Sequence, residues 1–199
     1  MAEAVTGIVL AGGLGRRMGG VDKGLQVLRG QPMAAHVLER LAPQVDALVI
    51  NANQNTERYA ALGAPFGASV VPDHIAGYAG PLAGLHAGLD AATTPLVVTV
   101  PCDSPFLPAD LVARLRAALD DAGADLAVAK TGTQAHPVFA LVRAGVRANL
   151  EAFLSGGGRK IDAWYAALRV IEVAFDDEAD AFENINTREE LQGFERAGR

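Results

Sequence analysis

The sequence predicts an α/β fold, a three-layer α/β/α sandwich around a mostly parallel central sheet. Three observations carry this prediction. Short apolar runs of β type alternate with helical patterns along the chain. Residues 96–100 (LVVTV) form an uninterrupted, β-branched run, too short for a helix, which is the pattern of a strand buried on both faces. A glycine-rich loop directly follows the first apolar run, as it does where an α/β sheet meets a ligand.

The elements follow in order. Residues 5–11 (VTGIVLA) read as a buried strand, followed by the glycine loop. Pro32 can open a helix, because its missing N–H costs nothing in the first turn, and Met33, Val37, Leu38 and Leu41 then recur at helical spacing up to Pro43. Residues 47–52 (ALVINA) and 69–71 read as the second and third strands. Pro81 opens a helix with Leu82, Leu85 and Leu89 on one face, and residues 96–100 supply the central strand. Pro108 starts the next helix, through about Leu119. Residues 124–130 and 136–142 read as strands, 144–154 as a helix, 155–160 (SGGGRK) as a loop and 168–175 as a strand. Thr187, with Glu190 three residues on, forms a capping box for a last helix.

Length and composition narrow the function. The 199 residues suit one domain, taken as 1–199, and half of them are hydrophobic, enough for a substantial core. No apolar run approaches the roughly 18 residues that span a bilayer. The start, MAEAVTG, lacks the basic segment of a signal peptide. The single cysteine, Cys102, excludes an internal disulfide, so a cytoplasmic, reducing setting is expected. A net charge of −6 argues against general nucleic-acid binding, and no membrane partner is expected. Any anionic ligand must therefore meet a local group of cations.

Such a group lies in LAGGLGRRMGGVDKGL, residues 10–25, which holds six glycines, Arg16, Arg17 and Lys23. It fits neither familiar phosphate-loop pattern. The dinucleotide fingerprint needs a third glycine where Met18 stands, and Asn51 rather than an acidic residue ends the second strand. The Walker A loop needs Ser or Thr after its lysine, where Gly24 stands. The chemistry nonetheless suits phosphate. Glycines let backbone N–H groups approach phosphate oxygens, arginines fork onto them, and a lysine acts on them as a point charge.

Taken whole, this stretch resembles the N-terminal signature of the nucleotidylyltransferases with a glycosyltransferase-A-like α/β fold, and within them the molybdenum cofactor guanylyltransferases. Sugar-phosphate nucleotidylyltransferases share its opening but place the lysine later, after a proline. VINAN at Val49, GPLAGLHAGL at Gly80, VPCDSPFLP at Val100, HPVFAL at His136 and FENINTREEL at Phe182 resemble the same family in order, over nearly the whole chain. The resemblance implies a Rossmann-like sandwich of the nucleotide-diphospho-sugar transferase type. It implies an enzyme that transfers GMP from GTP to the phosphate of molybdopterin, or of its molybdenum-loaded form, giving molybdopterin guanine dinucleotide and pyrophosphate. Mg²⁺ is the implied cofactor, with Mn²⁺ as an alternative, and molybdenum-insertion or molybdoenzyme-delivery proteins are the implied protein partners.

Ligands on such sheets bind beyond the carboxyl ends of the strands. Leu10, Ala11, Gly12 and Gly13 would meet GTP through backbone groups, and Arg16, Arg17 and Lys23 would hold its phosphates. Asp103 follows the buried central strand between Pro101 and Pro105, placed for Mg²⁺, which takes one or two carboxylates plus phosphate oxygens. The alternative for Asp103 is a turn aspartate ahead of the Pro108 helix. Asn51 reads as a nucleoside contact or a turn asparagine, and Asp73 as a nucleotide-lining residue or an N-cap at His74. Asn184 and Asn186, two apart on extended chain, would point the same way toward a pterin or the metal, or else belong to a turn before the last helix. Residues 155–160 read as a surface loop, with an anion loop for the acceptor as the alternative. His36, His74, His86 and His136 show no metal-ligand spacing, so they are not expected to form a metal site. Cys102 is expected to pack near the Asp103 turn, and Trp164 to lie in the core or a pocket wall. Two other functions remain open at this point: a cytidylyltransferase of the same fold acting on molybdopterin or a polyol phosphate, and a nucleotide- or cofactor-binding module without catalysis.

Overall fold

The computed structural model describes residues 3–13, 22–75 and 80–185, together with residues 190 and 193. Arg16, Arg17, Asn186 and Thr187 of the capping box lie outside the described residues.

Strand β1 (Val5–Leu10) pairs in parallel with β4 (Ala47–Asn51) on one side and β6 (Leu96–Pro101) on the other. β4 in turn carries β5 (Ser69–Val71) in parallel. Beyond β6 come β8 (Gln134–Arg143), β7 (Leu126–Thr131) and β9 (Val170–Ala174). Among the described residues these seven strands form one sheet, in the order β5-β4-β1-β6-β8-β7-β9. β8 runs antiparallel to both β6 and β7, while β7 and β9 are parallel. The expected α/β class and mostly parallel sheet are therefore present. The antiparallel member arises because β7 and β8 are joined by a tight turn at Gly132, whose φ of +54° favours glycine.

Side-chain alternation along the central strands builds the two cores. Val5 and Val9 of β1, with Leu96, Val98 and Val100 of β6, face one layer. That layer holds α1 (Met33–Leu41), α2 (Thr56–Gly63) and α4 (Leu111–Asp121), through Leu38, Tyr59 and Leu115 among others. Ile8 and Val97 face the other layer, made by α3 (Pro81–Ala91), α5 (Arg147–Ser155) and α6 (Ile161–Tyr165). α3 lies close on the sheet because its glycines leave room. A Cβ at Gly88 would stand 2.0 Å from Ile8 Cδ1, and one at Gly84 would stand 2.7 Å from Leu10 Cδ2. Trp164 belongs to this second core, with its indole N–H donating to Asn149 Oδ1 at 2.8 Å.

Several boundaries differ from the sequence expectation. α4 starts at Leu111, not Pro108, because Asp110 has non-helical dihedrals (φ −113°, ψ 13°). Its first turn is completed from outside, with Val112 N–H donating to Gln44 Oε1. The expected helix over 144–154 is a 3₁₀ turn, Ala144–Val146, followed by α5. Two short helices, α2 and α6, and a minimal hairpin, β2 (Val27–Leu28) with β3 (Gln31–Pro32), carry too little apolar periodicity to be read from sequence. No described helix is long and apolar enough to cross a membrane.

Candidate active site

β1, β4, β5 and β6 are parallel, so their carboxyl ends share one edge of the sheet. Ala11–Gly13, Asn51, Asp73 and Asp103 follow those ends, as the sequence predicts.

The first cluster is a polar cradle. Asn51 is 2 % exposed at the end of β4. Its Nδ2 donates to Asp73 Oδ1 at 2.9 Å and to the Val71 carbonyl at 3.3 Å. Asn53 Nδ2 donates to the other Asp73 oxygen at 2.9 Å, and the Asp73 N–H returns a bond to Asn53 Oδ1 at 2.8 Å. Both carboxylate oxygens of Asp73 thus accept an amide, and its orientation is fixed from two sides. Gly12 closes the cradle: a Cβ there would lie 2.8 Å from Asn53 Nδ2 and 3.1 Å from Asn51 Oδ1. Gly84 of α3 meets the same amide from beneath, at 2.4 Å from a built Cβ to Asn51 Oδ1. Asn53 was not singled out by the sequence, although VINAN contains it. The available signal was its spacing of two from Asn51, which places both amides on one face of extended chain.

The second cluster centres on Asp103, which is 7 % exposed. The Cys102 N–H donates to the Leu10 carbonyl at 3.1 Å, so the β1–β6 ladder runs right up to this aspartate. Lys23 Nζ stands 3.1 Å from Asp103 Oδ2. The residues around the lysine are anchored on both sides. Asp22 accepts a 2.5 Å bond from the Tyr59 hydroxyl and a 3.0 Å bond from Asn55 Nδ2. Gly24 packs where a Cβ would stand 2.5 Å from the Tyr59 hydroxyl and 3.0 Å from Cys102 Sγ. A side chain after the lysine would collide with both, which is the local reason that glycine follows Lys23.

Burial, reinforced by the charges of Asp103 and Asp22, pushes the Cys102 thiol far up, so it stays protonated at neutral pH. It packs at the Asp103 turn, as expected. Burial likewise pushes the Tyr59 phenol up, aided by neighbouring Cys102 and by its bond to Asp22, and keeps it a donor.

The chain near the carboxyl terminus returns to this cluster. The Ile185 N–H donates to the Asp103 carbonyl at 3.0 Å, and Ser104 Oγ donates to Asn184 Oδ1 at 2.5 Å. Phe182, packed on Phe139 and Phe175 and stacked on His136, holds this segment in place. Asn184 therefore lies beside the Asp103 turn. In the 155–160 loop, Arg159 donates to the Leu154 and Gly158 carbonyls, so its guanidinium closes its own loop.

Residues 7–170 match the family described as MobA-like NTP transferase domain. A protein of Burkholderia vietnamiensis named molybdenum cofactor guanylyltransferase is 55 % identical over 201 residues, covering 98 % of both chains. One of the same name from Cupriavidus necator is 54 % identical over 198 residues and 97 % of both chains. Among solved structures, molybdopterin-guanine dinucleotide biosynthesis protein A from Archaeoglobus fulgidus superposes with a TM-score of 0.79 at 28 % identity, covering 97 % of this chain and 98 % of that one. A 4-diphosphocytidyl-2C-methyl-D-erythritol synthase from Anaerococcus prevotii gives a TM-score of 0.77 at 13 % identity, covering 98 % of this chain and 96 % of that one, a likeness of fold alone. The chain belongs to the MobA-like NTP transferase family.

Proposed function

We propose that this chain is a molybdenum cofactor guanylyltransferase, which transfers GMP from GTP to the phosphate of molybdopterin or its molybdenum-loaded form. The observation that carries the reading is the Lys23–Asp103 pair at the carboxyl edge of the sheet, in a chain whose full-length relatives bear that name. In this reading the acceptor phosphate attacks the α-phosphorus of GTP in line and pyrophosphate leaves. Such transfers need positioning and charge stabilisation more than covalent help from the protein.

Each residue then has a role. The backbone of Leu10, Ala11, Gly12 and Gly13, with Asn51 and Asp73, lines the nucleoside. Lys23, with Arg16 and Arg17, stabilises charge on the phosphates. Asp103 fits a hard divalent cation by its donor chemistry: its carboxylate is nearly buried, and its backbone is fixed at the strand end, where its carbonyl accepts from the Ile185 N–H. Mg²⁺, or Mn²⁺ in its place, would supply Lewis-acid neutralisation of the phosphate oxygens there. Asn184, whose side-chain oxygen accepts from the Ser104 hydroxyl next to Asp103, would contact the acceptor, and Asn186 would take the same role. The whole chain, 1–199, acts as one catalytic domain in the cytoplasm.

Incubation with molybdopterin, Mg²⁺ and either GTP or CTP, followed by identification of the dinucleotide, tests this reading. A guanine dinucleotide and stoichiometric pyrophosphate are expected. A cytosine dinucleotide would establish a cytidylyltransferase instead, and nucleotide binding without pyrophosphate would establish a binding module.

A further inference from the structure

A second cluster of ligand-type side chains lies outside the cradle and the Asp103 turn. His86 and Asp90 sit one helical turn apart on α3, and His74 follows Asp73 in the segment after β5. One ligand atom from each of the three lies within 4.8 Å of the other two. Asp90 Oδ2 is the shared point, 3.1 Å from His74 Nδ1 and 3.8 Å from His86 Nδ1. The two imidazole rings stand nearly perpendicular, with an interplanar angle of 83° and centroids 6.5 Å apart.

His86 supplies the independent observation. Its side chain is 6 % exposed, and among the described residues neither ring nitrogen has a hydrogen-bond partner. The separation of 3.8 Å to Asp90 is too long for a hydrogen bond. A buried imidazole with both nitrogens unsatisfied is costly, and such an orphan in a native fold calls for a missing partner. A partner between Nδ1 and the Asp90 carboxylate would also meet His74.

We propose that His74, His86 and Asp90 form a transition-metal site, with Zn²⁺ as its best-fitting ion. Two imidazoles and one carboxylate are a borderline donor set that selects Zn²⁺ and its neighbours over Mg²⁺. The site is therefore chemically distinct from the hard carboxylate at Asp103. Tetrahedral ligands at Zn–N distances of ~2.0–2.1 Å lie about 3.3 Å from one another. The widest pair here must close by about 1.5 Å, which His74 can accomplish by side-chain rotation, since it is half-exposed. Arg147 holds the other carboxylate oxygen of Asp90, which orients Oδ2 toward the histidines in the manner of an outer-shell partner. The ion would tie the segment after β5, and with it Asp73, to helix α3. This inference stands whether or not the chain transfers a nucleotide.

The test uses the full chain without a polyhistidine tag, stripped with chelator and titrated with Co²⁺ and then Zn²⁺. One equivalent of Co²⁺ should bind with visible d–d absorption, be displaced by Zn²⁺, and raise the melting temperature. Binding should persist in Asp103→Ala, which separates it from the phosphate-side cation. It should be lost in His86→Gln and weakened at least about tenfold in His74→Ala, whose exposed position leaves folding intact. No saturable cobalt binding in the native chain, or an unchanged spectrum and affinity in His74→Ala, overturns the proposal.

Discussion

Lys23 and Asp103, eighty residues apart in sequence, meet at 3.1 Å where β1 and β6 end side by side. One cation and one carboxylate are thereby fixed at the same edge, each held by its own neighbours: Asp22 on Tyr59 and Asn55 for the lysine loop, and Ile185 on the backbone of the aspartate. In the proposed reaction the phosphates enter between groups whose positions are already set, so little reorganisation accompanies charge transfer.

Asp103→Ala should lower pyrophosphate release by at least about 100-fold. The fold should survive, because Ile185 bonds the backbone carbonyl at this position and not the side chain. Coupled pyrophosphate detection and circular dichroism check both halves. Turnover within a few-fold of the parent chain would remove Asp103 from the chemistry.

Lys23→Ala should raise the barrier by about 3 kcal/mol, the usual effect of deleting one donor to developing charge. Single-turnover rates with saturating GTP measure it. A change below about twofold would reduce Lys23 to a structural ion pair with Asp103.

Asn53→Ala removes one of the two amides on Asp73 without touching Lys23 or Asp103. KM for GTP should rise about tenfold while kcat stays nearly constant, since hydrogen bonds to a charged group contribute ~1.5–3 kcal/mol. Equal losses in kcat would place Asn53 in the transition state instead of in nucleoside positioning.

Gly84→Ala drives a methyl group into Asn51 Oδ1 and Leu10 Cδ2, at built distances of 2.4 and 2.7 Å. Overpacking of this kind costs ~1–3 kcal/mol and should also weaken GTP binding by displacing Asn51. Gly145→Ala meets nothing within 4 Å and serves as the control. Denaturant melts and nucleotide titrations of the two variants should separate cleanly.

Stability should fall as the solution becomes alkaline. Burial, then the charges of Asp103 and Asp22, raise Cys102 from its ordinary value of 9.0, and burial raises Tyr59 from 10.0. The native state thus keeps protons that the unfolded chain releases, so this stability is full below about pH 9 and declines above it, by up to ~1.4 kcal/mol per pH unit and group. Melting temperatures from pH 7 to 10.5 should show the decline, with a shallower slope in Cys102→Ala. Parallel slopes in the two chains would contradict the assignment.

Much of the site was legible in the sequence because of where strands end. The carboxyl-end rule needs only strand positions, and buried β-branched runs such as residues 96–100 are visible without coordinates. It therefore marked Gly12, Asn51, Asp73 and Asp103 in advance. Asn53 escaped, because its importance lies in a contact with Asp73 twenty residues away. α2 escaped too, since it buries chiefly Tyr59, and a single aromatic residue makes no periodic pattern.

The sequence by itself determined the α/β class, the edge of the sheet that carries the candidate site, and the family signature, because these depend on local periodicity and on residues adjacent in the chain. Only the tertiary structure decided which side chains face one another: Lys23 with Asp103, Asn53 with Asp73, Ser104 with Asn184. The same holds for the histidines. Their spacing along the chain suggested no ligand set, yet packing of α3 against the segment after β5 brings His74, His86 and Asp90 within 4.8 Å. Spacing rules detect ligands carried on one element. A set divided between a loop and a helix exists only once the sheet has fixed the distance between them.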